Sequence, residues 1–187
     1  MVIDGAVGEL GTMHTIFSYD NRNPGDIRNI SEIGGGAWLD IGCYGVSAAR
    51  YLFGAEPIDL DARMDLDPVF GTDRLTSAVL DFGRGSATVT CATQLAPHQA
   101  VSVHGSTGRI ELELPFNPPA DVPTSIRLHR DGAMQEILVE PCDQFRAQAD
   151  GFAEAVLNGA AIPVSLEDSL ANMLALDKAT RSRPPGW

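Results

Sequence analysis

The sequence predicts an α+β fold: an open, predominantly antiparallel sheet with helices packed on one face. Three observations carry this. Short runs of alternating apolar and polar residues fill the middle of the chain, joined by short glycine-containing turns of the hairpin kind. Helical periodicity lies before and after those runs. The 187 residues, 44% apolar, are enough for one well-buried core, so residues 1–187 read as a single domain.

Taken in order, Gly8 to Tyr19 reads as a turn and then a strand from Thr12. Asp20 to Ile33, rich in Asn, Pro, Gly and Asp, is a polar loop. Gly34-Gly35-Gly36 opens a helix from about Ala37 to Phe53, with Gly54 and Pro57 as stop signals. Leu75–Phe82 and Ser86–Thr93 flank Gly83-Arg84-Gly85 as a hairpin. Further strands are expected at Gln99–His104, Arg109–Leu114, Ser125–His129 and Gln135–Val139. Two helices close the chain. The first has Asp143 as N-cap, ends at Asn158-Gly159 and carries Phe145, Ala149, Phe152 and Val156 as an apolar stripe. The second has Ser165 as N-cap, with Asp168 three residues on, and a stripe of Leu166, Leu170, Met173 and Leu174.

Composition narrows the function. The net charge is −12, so the basic stripe that nucleic acid or anionic lipid requires is not expected. No apolar run approaches the length of a membrane helix, and the N-terminus lacks the pattern of a signal peptide. Cys43, Cys91 and Cys142 show no CxxC spacing, which speaks against a disulfide framework or zinc site and suits a reducing, cytoplasmic setting. His14, His98, His104 and His129 show no ligand spacing, so no metal is expected. Neither a G-x-S-x-G elbow nor a cysteine near a histidine is present, so covalent hydrolase chemistry has no support.

Asp40 and Tyr44 stand four residues apart on the helix that follows the three glycines. A carboxylate and a phenol on one helical face make an acid/base pair, the first orienting a substrate and the second exchanging a proton with a hydroxyl. They are equally a helix-start Asp favoured by the macrodipole and an amphipathic core Tyr. Arg28, in Asp26-Ile27-Arg28, is a surface cation or a holder of a substrate hydroxyl or carboxylate. The triple glycine lacks the G-x-G-x-x-G spacing of a dinucleotide fingerprint. It serves either close backbone approach or a ligand at the helix start.

Residues 34–57, Gly-Gly-Gly-Ala-Trp-Leu-Asp-Ile-Gly-Cys-Tyr-Gly-Val-Ser-Ala-Ala-Arg-Tyr-Leu-Phe-Gly-Ala-Glu-Pro, resemble the substrate-domain signature of the Gfo/Idh/MocA family of NAD(P)-dependent oxidoreductases. That family is named for glucose–fructose oxidoreductase and inositol dehydrogenase. Asp4-Gly-Ala-Val-Gly-Glu-Leu10, Asp26-Ile-Arg28, Gly105-Ser-Thr-Gly-Arg-Ile110 and Ala171-Asn-Met-Leu-Ala-Leu-Asp177 agree with it, so the resemblance spans nearly the whole chain. In the family a doubly wound nucleotide-binding domain precedes this region and carries the catalytic lysine in a Glu-Lys-Pro motif. Neither the glycine fingerprint nor that motif occurs in this sequence, and its one lysine, Lys178, lies near the C-terminus.

The resemblance therefore implies the C-terminal half of such an enzyme, with the N-terminal dinucleotide-binding domain absent. NAD or NADP would serve the full-length enzyme, with its nicotinamide near Tyr44, and none is expected on this chain alone. Tyr44 and Asp40 would be catalytic; Asp40 and Arg28 would bind substrate. Tyr44 stands where many members carry His, which leans the substrate toward a sugar or other polyol. The expected reaction is oxidation of a secondary alcohol, with the isolated chain inactive. The alternative is a non-enzymatic module for sugar binding or assembly.

A homodimer or tetramer is expected through the open face of the sheet. No charged residue occurs between Gly85 and Gly108, and Ser86, Thr88, Thr90 and Ala92 form a small, neutral strand face. The competing expectation is that the Pro115–Pro123 segment folds over that face.

Overall fold

Alternation along the first strand sets the two sides of the sheet. In the computed structural model, which describes residues 1–181, β1 (Leu10–Asp20) turns Met13, Thr15 and Phe17 into the core. It leaves His14 exposed on the other face. β1 is central in an eight-stranded sheet of order β2-β3-β4-β1-β5-β6-β7-β8. The others are β2 (Asp59–Leu66), β3 (Asp73–Asp81), β4 (Ser86–Ala92), β5 (Gln94–Gly105), β6 (Gly108–Glu113), β7 (Thr124–Arg130) and β8 (Ala133–Val139). Every neighbouring pair is antiparallel except β1 with β4, which is parallel. Between β4 and β5 the chain crosses the end of β1, where the amide of Asn21 donates to the carbonyl of Thr93 (2.8 Å). That crossing brings Pro97, His98 and Gln99 beside the last residues of β1.

β2 is a strand that the sequence reading leaves out. It alternates Leu60, Ala62 and Met64 with Asp59, Asp61, Arg63 and Asp65. Charges on alternate positions suit an edge strand, because they discourage pairing with another chain.

The helix after the three glycines opens differently from the expected uniform α-helix. Trp38–Gly42 is a π-helical turn, and α1 (Cys43–Phe53) continues from it. α1 lies close against β4: a Cβ at Gly45 would sit 2.6 Å from Val89 Cγ1, so only glycine permits this approach. Beneath it Met13, Trp38, Val46, Phe53, Leu80 and Leu176 form a buried core on the helical side of the sheet.

Two expected stripes are corrected. α2 (Gln144–Asn158) has its Asp143 N-cap and ends at Gly159 as expected, yet Phe145, Phe152 and Val156 are all exposed, with no described element lying over them. α3 (Leu166–Arg181) exposes Leu166, Leu170, Met173 and Leu174 and buries Ala175, Leu176 and Ala179 instead. The reason is polar. Arg50 of α1 bonds Asp168 (2.9 Å) and Asn172 (3.4 Å), and these share one helix face with Leu176 and Ala179. The inward face of α3 thus begins polar and ends apolar.

The Pro115–Pro123 segment does not cover the open face. Its Phe116 stacks on Phe17 (5.4 Å between ring centroids), on the helical side of the sheet. Among the described residues no helix is long and apolar enough to cross a membrane.

Candidate active site

Three local structures meet at one cleft. Tyr19 ends β1 on the same face as Phe17. Asp26 caps a short 3-10 turn, Ile27–Asn29, its carboxylate accepting from the amide of Arg28 (2.9 Å) and so fixing that residue's backbone. Asp40 lies in the π-helical turn and Tyr44 in the first turn of α1. Insertion of a wider turn at a functional segment is common, since it re-aims side chains that a regular helix would place elsewhere.

The turn is held from below. The buried Asp73 carboxylate accepts from the amide of Trp38 (2.7 Å) and from the Thr76 hydroxyl (2.6 Å). Gly36 packs directly against this carboxylate. Close approach is therefore the use the structure makes of the glycine loop. The Asp73 carboxylate occupies the helix start, and its charge disfavours a second anion beside it.

Asp40 is clamped from two sides. The Tyr19 hydroxyl donates to Oδ2 at 2.5 Å, and Arg28 Nε donates to Oδ1 at 3.0 Å. Arg28 also reaches Asp26 through Nη1 (3.3 Å). Burial, then the hydrogen bond to Asp40, push the Tyr19 phenol well above its ordinary range. Tyr44 packs edge-on against Phe17 (5.8 Å) and beside Phe116 (5.5 Å), while its hydroxyl makes no hydrogen bond to a described residue. Burial, then the neighbouring Cys43 and Asp40, raise its phenol as well, so both tyrosines hold their protons at neutral pH.

Tyr19, Arg28, Asp40 and Tyr44 line a single cleft of about 540 Å³, completed by Phe17, His98, Gln99, Glu113 and Asn117. The three residues singled out in the sequence thus come together. Arg28 bonds Asp40 and itself lines the cleft where a substrate would sit. Tyr19 was missed, though alternation along β1 puts it on the face of Phe17. Gln99, Glu113 and Asn117 were missed because only the sheet order brings them to the cleft. Lys178 is remote: its ammonium donates to the carbonyl of Pro57 (3.1 Å). Among the described residues no group of His, Cys, Asp or Glu is placed to hold a metal ion.

An open sheet backed by helices, with a carboxylate and a phenol in a cleft at the start of one of them, is a candidate site whose fold can be compared with known families. The chain belongs to the GFO/IDH/MocA family: residues 1–111 match its C-terminal domain. An uncharacterised oxidoreductase of Rhizobium meliloti is 41% identical over 192 residues, covering 100% of this chain and 58% of that protein. The dTDP-3,4-didehydro-2,6-dideoxy-alpha-D-glucose 3-reductase of Actinomadura kijaniata is 31% identical, covering 95% of this chain and 54% of that protein. A solved 3-ketoreductase from the same organism, in complex with NADP and TDP-benzene, superposes with a TM-score of 0.90 at 28% identity, over 97% of this chain and 56% of that one. The chain spans little more than half the length of the curated relatives it matches. The two Actinomadura relatives are sugar-modifying oxidoreductases, and this chain matches the family's C-terminal domain.

Proposed function

We propose that this chain is the substrate-binding and oligomerising half of an NAD(P)-dependent oxidoreductase that interconverts a secondary alcohol and a ketone on a sugar or polyol. The observation that supports it best is the pairing in one cleft of a clamped carboxylate, Asp40, with a phenol whose hydroxyl is uncommitted, Tyr44. A nicotinamide cofactor supplies the hydride chemistry when bound, and the likeness to an NADP-bound 3-ketoreductase supports that assignment. The match to the family's C-terminal domain supports placing this chain's work on the substrate. Asp40 accepts hydrogen bonds from substrate hydroxyls and fixes their orientation. Tyr44 stands at the cleft wall and exchanges the proton of the reacting oxygen, giving it to a ketone or taking it from an alcohol. Asn117 adds an amide donor and acceptor for the remaining hydroxyls, and Gln99 adds its amide donors, its Oε1 being taken by the backbone amides of Phe116 and Asn117.

Two measurements test this. The 187-residue chain, assayed with NAD or NADP over a panel of sugars and polyols, should show no sustained turnover; turnover above background would overturn its role as a half-site. In an enzyme that joins this chain to a dinucleotide-binding half, Tyr44→Phe should lower kcat by about 10²–10⁴-fold with little change in KM. A kcat within about twofold of the parent would make Tyr44 a packing residue.

A further inference from the structure

We propose that Tyr19 is a positioning residue: together with Arg28 it locks the Asp40 carboxylate into one orientation, so that the cleft offers a fixed pair of acceptors to neighbouring hydroxyls of the substrate. This rests on the reading that Asp40 meets the substrate. The geometry carries it. Each oxygen of Asp40 receives one donor from the protein, Oδ2 from the Tyr19 hydroxyl at 2.5 Å and Oδ1 from Arg28 Nε at 3.0 Å. A carboxylate has about four lone-pair sites, so each oxygen keeps one for a ligand.

Both donors are themselves anchored. Arg28 is held by Asp26 through its backbone amide and its guanidinium. Tyr19 is carried by the central strand, at a bulge between the pairs Ser18–His98 and Asp20–Gln94 that β1 makes with β5. A carboxylate gripped from two sides is held against turning to follow solvent, and that is the preorganisation a binding site needs.

The same contact separates the tasks of the two tyrosines. Ionising Tyr19 would place a second negative charge against Asp40 in a half-buried site, so its proton stays put. Tyr44 has no such tie, and proton exchange falls to it. A purely space-filling Tyr19 would be replaced by phenylalanine without consequence for Asp40, and that difference is measurable.

The test begins with crystal structures of the 187-residue chain and its Tyr19→Phe variant. The Asp40 carboxylate should leave its parent orientation in the variant; an unchanged orientation overturns the proposal. The reciprocal measurement uses Tyr44→Phe with Tyr51→Phe, which leaves Tyr19 as the one tyrosine. Adding Asp40→Asn should bring the Tyr19 phenol, followed by ultraviolet absorbance, back toward the ordinary range of about 10. A titration that does not move overturns the proposal even where Tyr19→Phe fails to fold. In an enzyme joined to a dinucleotide-binding half, Tyr19→Phe should raise KM for the sugar about tenfold, leaving KM for the dinucleotide unchanged. An unchanged sugar KM counts against Tyr19 alone, whereas an unchanged kcat in Tyr44→Phe counts against the reaction itself.

Discussion

Gly36 shows how a single residue supports the site without touching a substrate. Its φ of +125° is a conformation that side-chain-bearing residues avoid, and the Asp73 carboxylate fills the place where a Cβ would stand. The carboxylate in turn receives the Trp38 amide, the first residue of the turn that carries Asp40. Gly36→Ala combines backbone strain with displacement of Asp73. The expected cost is about 1–3 kcal/mol or more, read from urea denaturation. The substitution should also disturb Asp40, two residues beyond Trp38. A variant as stable as the parent would show that the loop relaxes freely and does not hold the turn.

Among the elements, α3 is the one whose attachment depends on charge. The Arg50 side chain is 5% exposed and bonds both oxygens of Glu56 (2.7 and 2.8 Å) as well as Asp168 (2.9 Å). Arg50→Met should cost about 1–3 kcal/mol; the acids left behind are half exposed and regain water, which keeps the figure below that of a fully buried pair. Hydrogen exchange in α3 should accelerate before that in the sheet. The hydrogen bond from Arg50 holds the Glu56 carboxyl below its usual range. Its contribution is therefore present above the unfolded value of about 4.3 and is lost as pH falls through the lower folded value.

This element also marks the limit of what patterning reveals. The alternation of β1 and β4, the hairpin at residues 83–85 and the cap of α2 all follow from local chemistry, and the sequence shows them plainly. The inward face of α3 does not, because Asp168 and Asn172 turn inward to an arginine more than a hundred residues away. β2 was equally readable from its alternation, but its acidic residues resemble those of a loop. In the cleft, Asp40, Tyr44 and Arg28 lie within a short stretch of chain. Tyr19 and Glu113 reach it only through the sheet order.

At the scale of the molecule, we propose that the sheet face away from the helices meets a second copy of the chain. Its middle is neutral and small: Ser77, Thr88, Thr90 and Ser102, with His14 and Ile16 between them. Charges stand at its margins, Asp59, Asp61, Arg63 and Asp65 on β2 and Arg109 and Glu111 on β6. A neutral centre with a charged rim can be desolvated at small cost and meet itself about a twofold axis. Phe116 holds the Pro115–Pro123 segment to the other side of the sheet, so that segment does not compete for this face. Light scattering on the purified chain should give a dimer or tetramer mass at tens of micromolar; a monomer mass would refute the contact. Thr88→Arg with Thr90→Glu should dissociate the assembly while leaving the chain folded. The association should also weaken in acid. His14 and His104 meet edge to face at 5.6 Å, His14 bonded to Thr88 (2.6 Å) and His104 to Ser102 (2.8 Å). Burial, the His14 charge and nearby Arg109 lower the His104 value, Glu111 opposing them, so it is neutral at pH 7. Protonation of His104 in acid, below its already lowered value, puts positive charge into the neutral centre of both copies, and burial makes that charge more costly in the assembly than in the monomer. The mass should therefore fall as the pH drops from 7 into the acid range, and His104→Gln should abolish that dependence. A mass constant across this range in the parent would place the contact on another surface or leave the histidines outside it.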